Sequence, residues 1–109
     1  MKKVVVLGST GSIGRSALDV IGSTQGEFRI VGLSAGSNVS LLEEQASLFE
    51  VGLIGMSAEP PGGLKGRRVL TGSDAAARLV AEAEPDIVVN GISGAAGFMP
   101  SLQAVRQGA

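Results

Sequence analysis

A glycine-rich run that directly follows a short apolar stretch constrains the fold of this chain more than any other feature. Residues 8–14 read Gly-Ser-Thr-Gly-Ser-Ile-Gly, after the apolar run Val4–Leu7 and before a segment with helical periodicity. This order predicts a buried strand, a tight turn and a helix. The first N–H groups of a helix lack partners within the helix and attract anions. The run is therefore predicted to hold a phosphate group.

Each glycine of this run has a predicted role. Gly8 permits a sharp exit from the strand, Gly11 lets a pyrophosphate approach the backbone, and Gly14 lets the helix pack closely on the strand. Thr10 and Ser12 add hydroxyl donors. The spacing is GxxGxxG instead of the commoner GxGxxG, so the motif alone is a weak indication. The alternative is a glycine- and serine-rich loop that binds nothing.

The composition argues against several other classes of site. A net charge of −1 over 109 residues gives no basic surface for nucleic acid. The chain has no Cys and no His, so it offers no disulfide, no thiolate nucleophile and no histidine base. Its apolar runs are too short for a signal peptide or a membrane span. We expect one domain in the cytoplasm or a comparable compartment, with neither nucleic acid nor membrane as a partner.

Apolar runs alternate with helical patterns along the chain. Strands are predicted at residues 4–7, 28–33, 51–56 and 86–90, with a short extra strand at 69–70. The buried faces of the intervening helices are predicted to be Ile13, Ala17, Val20 and Ile21; Leu42, Ala46 and Phe49; and Ala76, Leu79, Val80 and Ala83. Repeated strand–helix units of this length predict an α/β fold with a doubly wound parallel sheet, a Rossmann-like NAD(P)-binding domain.

Two of the predicted helices begin at capping signals. Ser40 and Glu43 form an S-x-x-E capping box for the second helix, with Asn38 as an alternative N-cap. Ser73 is a predicted cap for the third helix. The preceding stretch, Ser57–Arg68, is rich in Pro and Gly and is predicted to be an exposed, mobile connection.

Three predicted strands end in glycine-rich turns, which follow Leu7, Leu33 and Asn90. Ligands of doubly wound sheets bind beyond the carboxyl ends of the strands, where the strand order reverses. We therefore expect the three turns to converge on one cleft. The small residues of the third turn, Gly94–Gly97, either admit the ligand closely or pack a last helix around Ser101–Gln107, and both interpretations stay open.

The second turn bears on which dinucleotide fits. Domains that prefer NAD place Asp or Glu at the end of the second strand, but this chain has Ser34–Asn38, which reads Ser-Ala-Gly-Ser-Asn. Without a carboxylate the turn admits the 2′-phosphate of NADP, to which Ser37 and Asn38 can donate hydrogen bonds. Alternatively these two residues only cap the next helix. Asp in place of Ser34 or Ala35 is predicted to weaken binding of NADPH more than binding of NADH.

Three separated segments together resemble one enzyme family. They are the opening GSTGSIG run with Leu18–Ile21 downstream, the turn Ala35–Asn38, and the run Ile92–Gly97 continuing to Pro100. In this order they are similar to the amino-terminal region of the 1-deoxy-D-xylulose 5-phosphate reductoisomerases. The similarity extends over essentially the whole chain.

This resemblance implies a homodimeric, NADPH-dependent enzyme of the non-mevalonate isoprenoid pathway. Such an enzyme rearranges and reduces the sugar phosphate 1-deoxy-D-xylulose 5-phosphate to 2-C-methyl-D-erythritol 4-phosphate, with a divalent metal, manganese or magnesium. The resemblance places the cofactor contacts at Thr10, Gly11, Ser12 and Ile13 in the first turn and at Gly36, Ser37 and Asn38 in the second. Residues 1–109 are then expected to be the NADPH-binding domain of a longer enzyme, without its metal ligands and inactive alone.

Two other interpretations compete with this one. The first is another NADP oxidoreductase, such as a short-chain or semialdehyde dehydrogenase, although the lack of Tyr and Cys in this chain counts against both. The second is a self-contained nucleotide-binding module without catalytic chemistry.

Overall fold

The computed structural model describes residues 2–24, 26–36, 38–57 and 66–92. Strands and helices alternate along them in the order β1 Lys2–Leu7, α1 Ser12–Ser23, β2 Phe28–Ala35, α2 Val39–Leu48, β3 Leu53–Met56, β4 Arg68–Thr71, α3 Ala75–Ala83 and β5 Ile87–Asn90. Most of the predicted connection (58–65), the turn at 94–97 and the last helix at 101–107 lie outside the described residues.

The strands form one parallel sheet in the order β4-β3-β2-β1-β5. The short extra strand predicted at 69–70 is confirmed as β4. From β1 the chain adds strands on one side as far as β4, and then returns to the other side of β1 for β5. The strand order therefore reverses between β1 and β5, and the predicted doubly wound α/β fold is confirmed.

Consecutive side chains of β1 enter two separate cores. Val4 and Val6 pack in the core that α1 and α2 cover, whereas Val5 and Leu7 pack in the core beneath α3. None of the four is more than 1% exposed. Fully burying an aliphatic side chain contributes about 1.5–3 kcal/mol, so this strand anchors both layers of helices. The turn that follows Leu7 thus starts from a strand that is buried on both faces and paired on both sides, with β2 and β5.

Helix α1 buries only part of its predicted face: Ile21 packs against the core and Ala17 is half-buried. Ile13 and Val20, predicted to be buried, are 60% and 63% exposed, so that prediction is wrong. Gly14 and Leu18 are buried in their place. A Cβ atom on Gly14 would lie 2.6 Å from the Cα of Ser9, so the helix touches the turn through bare backbone. The buried face continues at Leu18, one helical turn after Gly14. A pattern of apolar side chains misses this face because glycine has no side chain.

The helix caps correct two further predictions. Asn38 is the N-cap of α2, and its Oδ1 accepts a hydrogen bond from the N–H of Leu41 at 3.2 Å. The alternative cap is therefore confirmed, and the capping box starting at Ser40 is wrong because Ser40 lies inside the helix. Ser73 is not the cap of α3, since the N-cap position is Asp74, without a side-chain cap. A serine one residue too early cannot reach the N–H groups that a cap satisfies.

Candidate functional site

The turns after β1 and β5 meet where the strand order reverses. The N–H of Gly91 donates a hydrogen bond of 2.8 Å to the carbonyl of Leu7. A Cβ atom on Gly8 would lie 3.0 Å from the carbonyl carbon of Gly91, so the two turns are in direct backbone contact. This edge of a doubly wound sheet is where ligands bind. The predicted convergence is thus confirmed for the first turn and the beginning of the third.

At the first turn, the N-cap residue of α1 provides no side-chain acceptor for the N–H groups that begin the helix. Gly8 has φ +68°, a conformation that favours glycine, and its carbonyl accepts a hydrogen bond from the N–H of Gly11 at 3.1 Å. Gly11 is the N-cap of α1 and forms no side-chain cap. The first N–H groups of α1, together with the helix dipole, therefore suit an anion.

The predicted contact residues of the first turn lie around this terminus. Thr10 is half-buried, and Gly11, Ser12 and Ile13 are exposed. Among the described residues, a Cβ atom on Gly11 would meet only the carbonyl oxygen of Gly8, at 3.4 Å. These residues therefore leave the space in front of Gly11 open to a ligand.

The end of β2 accepts two hydrogen bonds from the backbone of the first turn. The N–H of Gly8 donates to Oγ of Ser34 at 3.2 Å, and the N–H of Ser9 donates to the Ser34 carbonyl at 2.8 Å. Ser34 and Ala35 are both buried. The Ser34 hydroxyl accepts a hydrogen bond from the first turn and Ala35 packs in the apolar core, so neither side chain faces open space. The effect of Asp at either position on cofactor choice stays a prediction. The first exposed position after β2 is Gly36, where a Cβ atom would meet no atom of the described residues within 4 Å.

The second turn is attached to two elements. The carbonyl of Gly36 accepts a hydrogen bond from the hydroxyl of Ser57, just after β3, at 2.8 Å. Asn38 is exposed and caps α2, so its capping role is confirmed, whereas its contact with a 2′-phosphate stays a prediction. Ser37, the third predicted contact of this turn, lies outside the described residues.

Sequence reasoning missed Gln45 on α2. Its side-chain Nε2 donates to the carbonyl of Ser9 at 2.9 Å, and the residue is only 7% exposed. The available signal was its position on the apolar stripe of α2, three residues after Leu42 and beside Ala46. A polar residue on a buried face usually makes a specific hydrogen bond, because an unpaired one is costly.

Within the described part of the chain, no group of three or more acidic residues is close enough together to hold a metal ion. Asp86 lies away from the turns: its carboxylate accepts from the N–H of Lys3 at 2.8 Å, at the amino ends of β1 and β5. None of the described helices is long and apolar enough to cross a membrane.

We predict that Gly14→Ala destabilises the fold by about 1–3 kcal/mol, because the new Cβ would collide with the backbone of Gly8 and Ser9. Gly22→Ala in the same helix is the matched control. Within the described part of the chain, a Cβ there meets only the ring of Phe49, at 3.7 Å. The control is therefore expected to gain about 0.5–1 kcal/mol from helix propensity. Urea denaturation measures both changes, and a Gly14→Ala variant as stable as the parent would contradict the close packing.

Comparison with known proteins places this geometry in one family. The family model described as 1-deoxy-D-xylulose 5-phosphate reductoisomerase matches residues 4–109. Proteins of that name from Thermodesulfovibrio yellowstonii and Mycobacterium marinum are 42% and 44% identical to the chain, over 99% and 98% of its length. The chain spans 30% and 27% of these two relatives.

Solved structures agree with the sequence matches. The reductoisomerase from Zymomonas mobilis in complex with NADPH superposes with a TM-score of 0.81 at 30% identity, over 98% of this chain and 30% of its own. A DOX-P reductoisomerase in complex with NADPH, fosmidomycin and magnesium gives 0.86 at 29% identity, over 99% and 28%. The resemblance of the three sequence segments is confirmed: the chain belongs to the 1-deoxy-D-xylulose 5-phosphate reductoisomerase family.

Proposed function

We propose that this chain is the NADPH-binding, amino-terminal part of an enzyme that converts 1-deoxy-D-xylulose 5-phosphate into 2-C-methyl-D-erythritol 4-phosphate. The observation that carries the proposal is the uncapped amino terminus of α1, held at the reversal of strand order by contacts from β2, β5 and α2. Family membership supports the reaction, since two relatives were solved with NADPH. The whole enzyme is proposed to be a cytoplasmic homodimer.

The described residues fit a dinucleotide. The open space at Gly11 admits a pyrophosphate, whose charge suits the first N–H groups of α1. The open space at Gly36 and the lack of an acid at the end of β2 suit a 2′-phosphate. The proposed contacts are Thr10, Gly11, Ser12 and Ile13 in the first turn and Gly36, Ser37 and Asn38 in the second.

The contribution of this chain to the reaction is to bind and orient the cofactor. Bound NADPH supplies a hydride to a carbonyl carbon. The turns after β1 and β2 hold its two phosphorylated regions, which fixes where the nicotinamide can lie. The divalent metal of the whole enzyme, magnesium or manganese, is proposed to bind outside the described residues.

The competing functions receive less support. A short-chain or semialdehyde dehydrogenase is not favoured, because the family match runs over residues 4–109. A binding module without catalytic chemistry would contain the same cofactor site. Only the activity of the longer protein that contains this chain distinguishes the two functions.

We predict that the 109-residue chain binds NADPH weakly and does not turn over 1-deoxy-D-xylulose 5-phosphate with Mg²⁺. The cofactor turns are present, whereas the described residues contain no catalytic constellation. Titration of amide NMR signals with NADPH measures binding, and the first turn is expected to shift most. The loss of NADPH absorbance measures turnover. Measurable turnover by the chain, or amide shifts confined to the amino ends of the strands, would contradict the proposal.

A further inference from the structure

The backbone of Ser9, in the first turn, is fixed by hydrogen bonds to two other elements. Its N–H donates to the carbonyl of Ser34, on β2, at 2.8 Å. Its carbonyl accepts from Nε2 of Gln45, on α2, at 2.9 Å. Ser9 itself is fully buried. The first turn therefore depends on the position of α2 as well as on the sheet.

Helix α2 also carries the second turn. Asn38 caps its amino terminus, and Gln45 lies seven residues further along, about 10 Å by the rise of an α-helix. Helix α2 thus begins at the proposed 2′-phosphate turn. Two helical turns later, its Gln45 donates a hydrogen bond to the proposed pyrophosphate turn. The Gln45 hydrogen bond therefore ties the first turn to the helix that follows the second turn, in addition to the direct hydrogen bonds from Ser34.

We infer that Gln45 is a positioning residue that aligns the first and second turns so that one dinucleotide can engage both. This inference rests on the proposed function. Gln45 reaches the backbone of Ser9 from the buried side, so it acts through the turn. Without its donor, the Ser9 carbonyl would be buried without that partner, and the turn would shift to find another.

The substitution Gln45→Met tests this role, because it keeps an unbranched side chain of similar length and removes the donor. Glu43→Met is the matched control, since Glu43 lies exposed on the same helix. Two probes separate positioning from general loss of structure. NADPH needs both turns, whereas adenosine 2′-monophosphate needs only the second.

For Gln45→Met we expect NADPH to bind about tenfold more weakly, since a small misplacement of binding groups weakens contacts made together. Adenosine 2′-monophosphate should stay within about twofold of the parent, and Glu43→Met should match the parent for both ligands. Amide NMR titration measures both affinities and reports whether the fold is retained.

Three outcomes would overturn the inference. In the first, Gln45→Met binds NADPH like the parent. In the second, both ligands weaken by the same factor, which indicates a purely structural role for Gln45. The proposed function survives either result as long as the parent binds NADPH. In the third, the parent itself fails to bind NADPH, which overturns the proposed function and this inference together.

Discussion

Gly11→Val is expected to weaken NADPH binding by at least about 100-fold while the chain stays folded. A branched side chain would fill the space through which we propose that the pyrophosphate approaches the backbone N–H groups of α1. Hydrogen bonds to a charged group contribute about 1.5–3 kcal/mol each, so losing two gives at least this factor. The fold should tolerate the change, because Gly11 has φ −80° and ψ 174°, an extended conformation open to any residue.

The control for this prediction is Gly52→Val. Gly52 is exposed just before β3, at the amino ends of the strands and away from the turns, and a Cβ there meets no atom of the described residues within 4 Å. Calorimetry should show parental NADPH affinity for the control, and circular dichroism should show native spectra for both variants. If Gly11→Val binds NADPH as well as the parent does, the first turn is not the phosphate site.

The sequence predicts the architecture of this domain well because its strongest signals are local. Continuous apolar runs such as Val4–Leu7 occur in strands that are covered on both faces, and all four of these side chains are buried. Helices of sufficient length between such strands leave only parallel pairing. Even the weak signal at residues 69–70 corresponds to a real edge strand, β4.

The rotation of α1 could not be predicted, since it depends on a contact made by backbone. Apolar periodicity places Ile13 and Val20 in the core, yet the approach of Gly14 to Ser9 turns both toward solvent. Close packing at a glycine depends on the shape of its partner, which a periodicity does not contain. The same rotation leaves Ile13 exposed beside the first turn, where the family resemblance places a cofactor contact.

The chemistry of the site is predictable only where a residue type has one main use. Glycines at fixed offsets after a strand identify the first turn because few other residues permit that geometry. Ser34 and Gln45 have many possible uses in a sequence, and their roles appear only when β2 and α2 are brought against the first turn. The contacts that support the first turn therefore join residues far apart in the sequence. The residues that we propose to face the ligand lie close together in the sequence.

Gly36→Asp is expected to shift cofactor preference toward NADH by about tenfold or more, which corresponds to about 1.4 kcal/mol per factor of ten. Gly36 is the first exposed position after β2, and we propose that the new carboxylate would reach the ribose hydroxyls that an acid binds in NAD-preferring domains. The same charge repels a 2′-phosphate. NADPH affinity should therefore fall, while NADH affinity holds or rises.

Gly36→Asn separates the charge from the size of the new side chain, because the two side chains have nearly the same shape. It should lower NADPH and NADH affinity by similar factors. Added salt should reduce the shift caused by Gly36→Asp, since screening weakens repulsion between exposed charges. Paired titrations of the parent and both variants decide the matter. An unchanged preference in Gly36→Asp would mean that the second turn does not face the ribose, and Gly36 and Asn38 would then lose their proposed role as cofactor contacts.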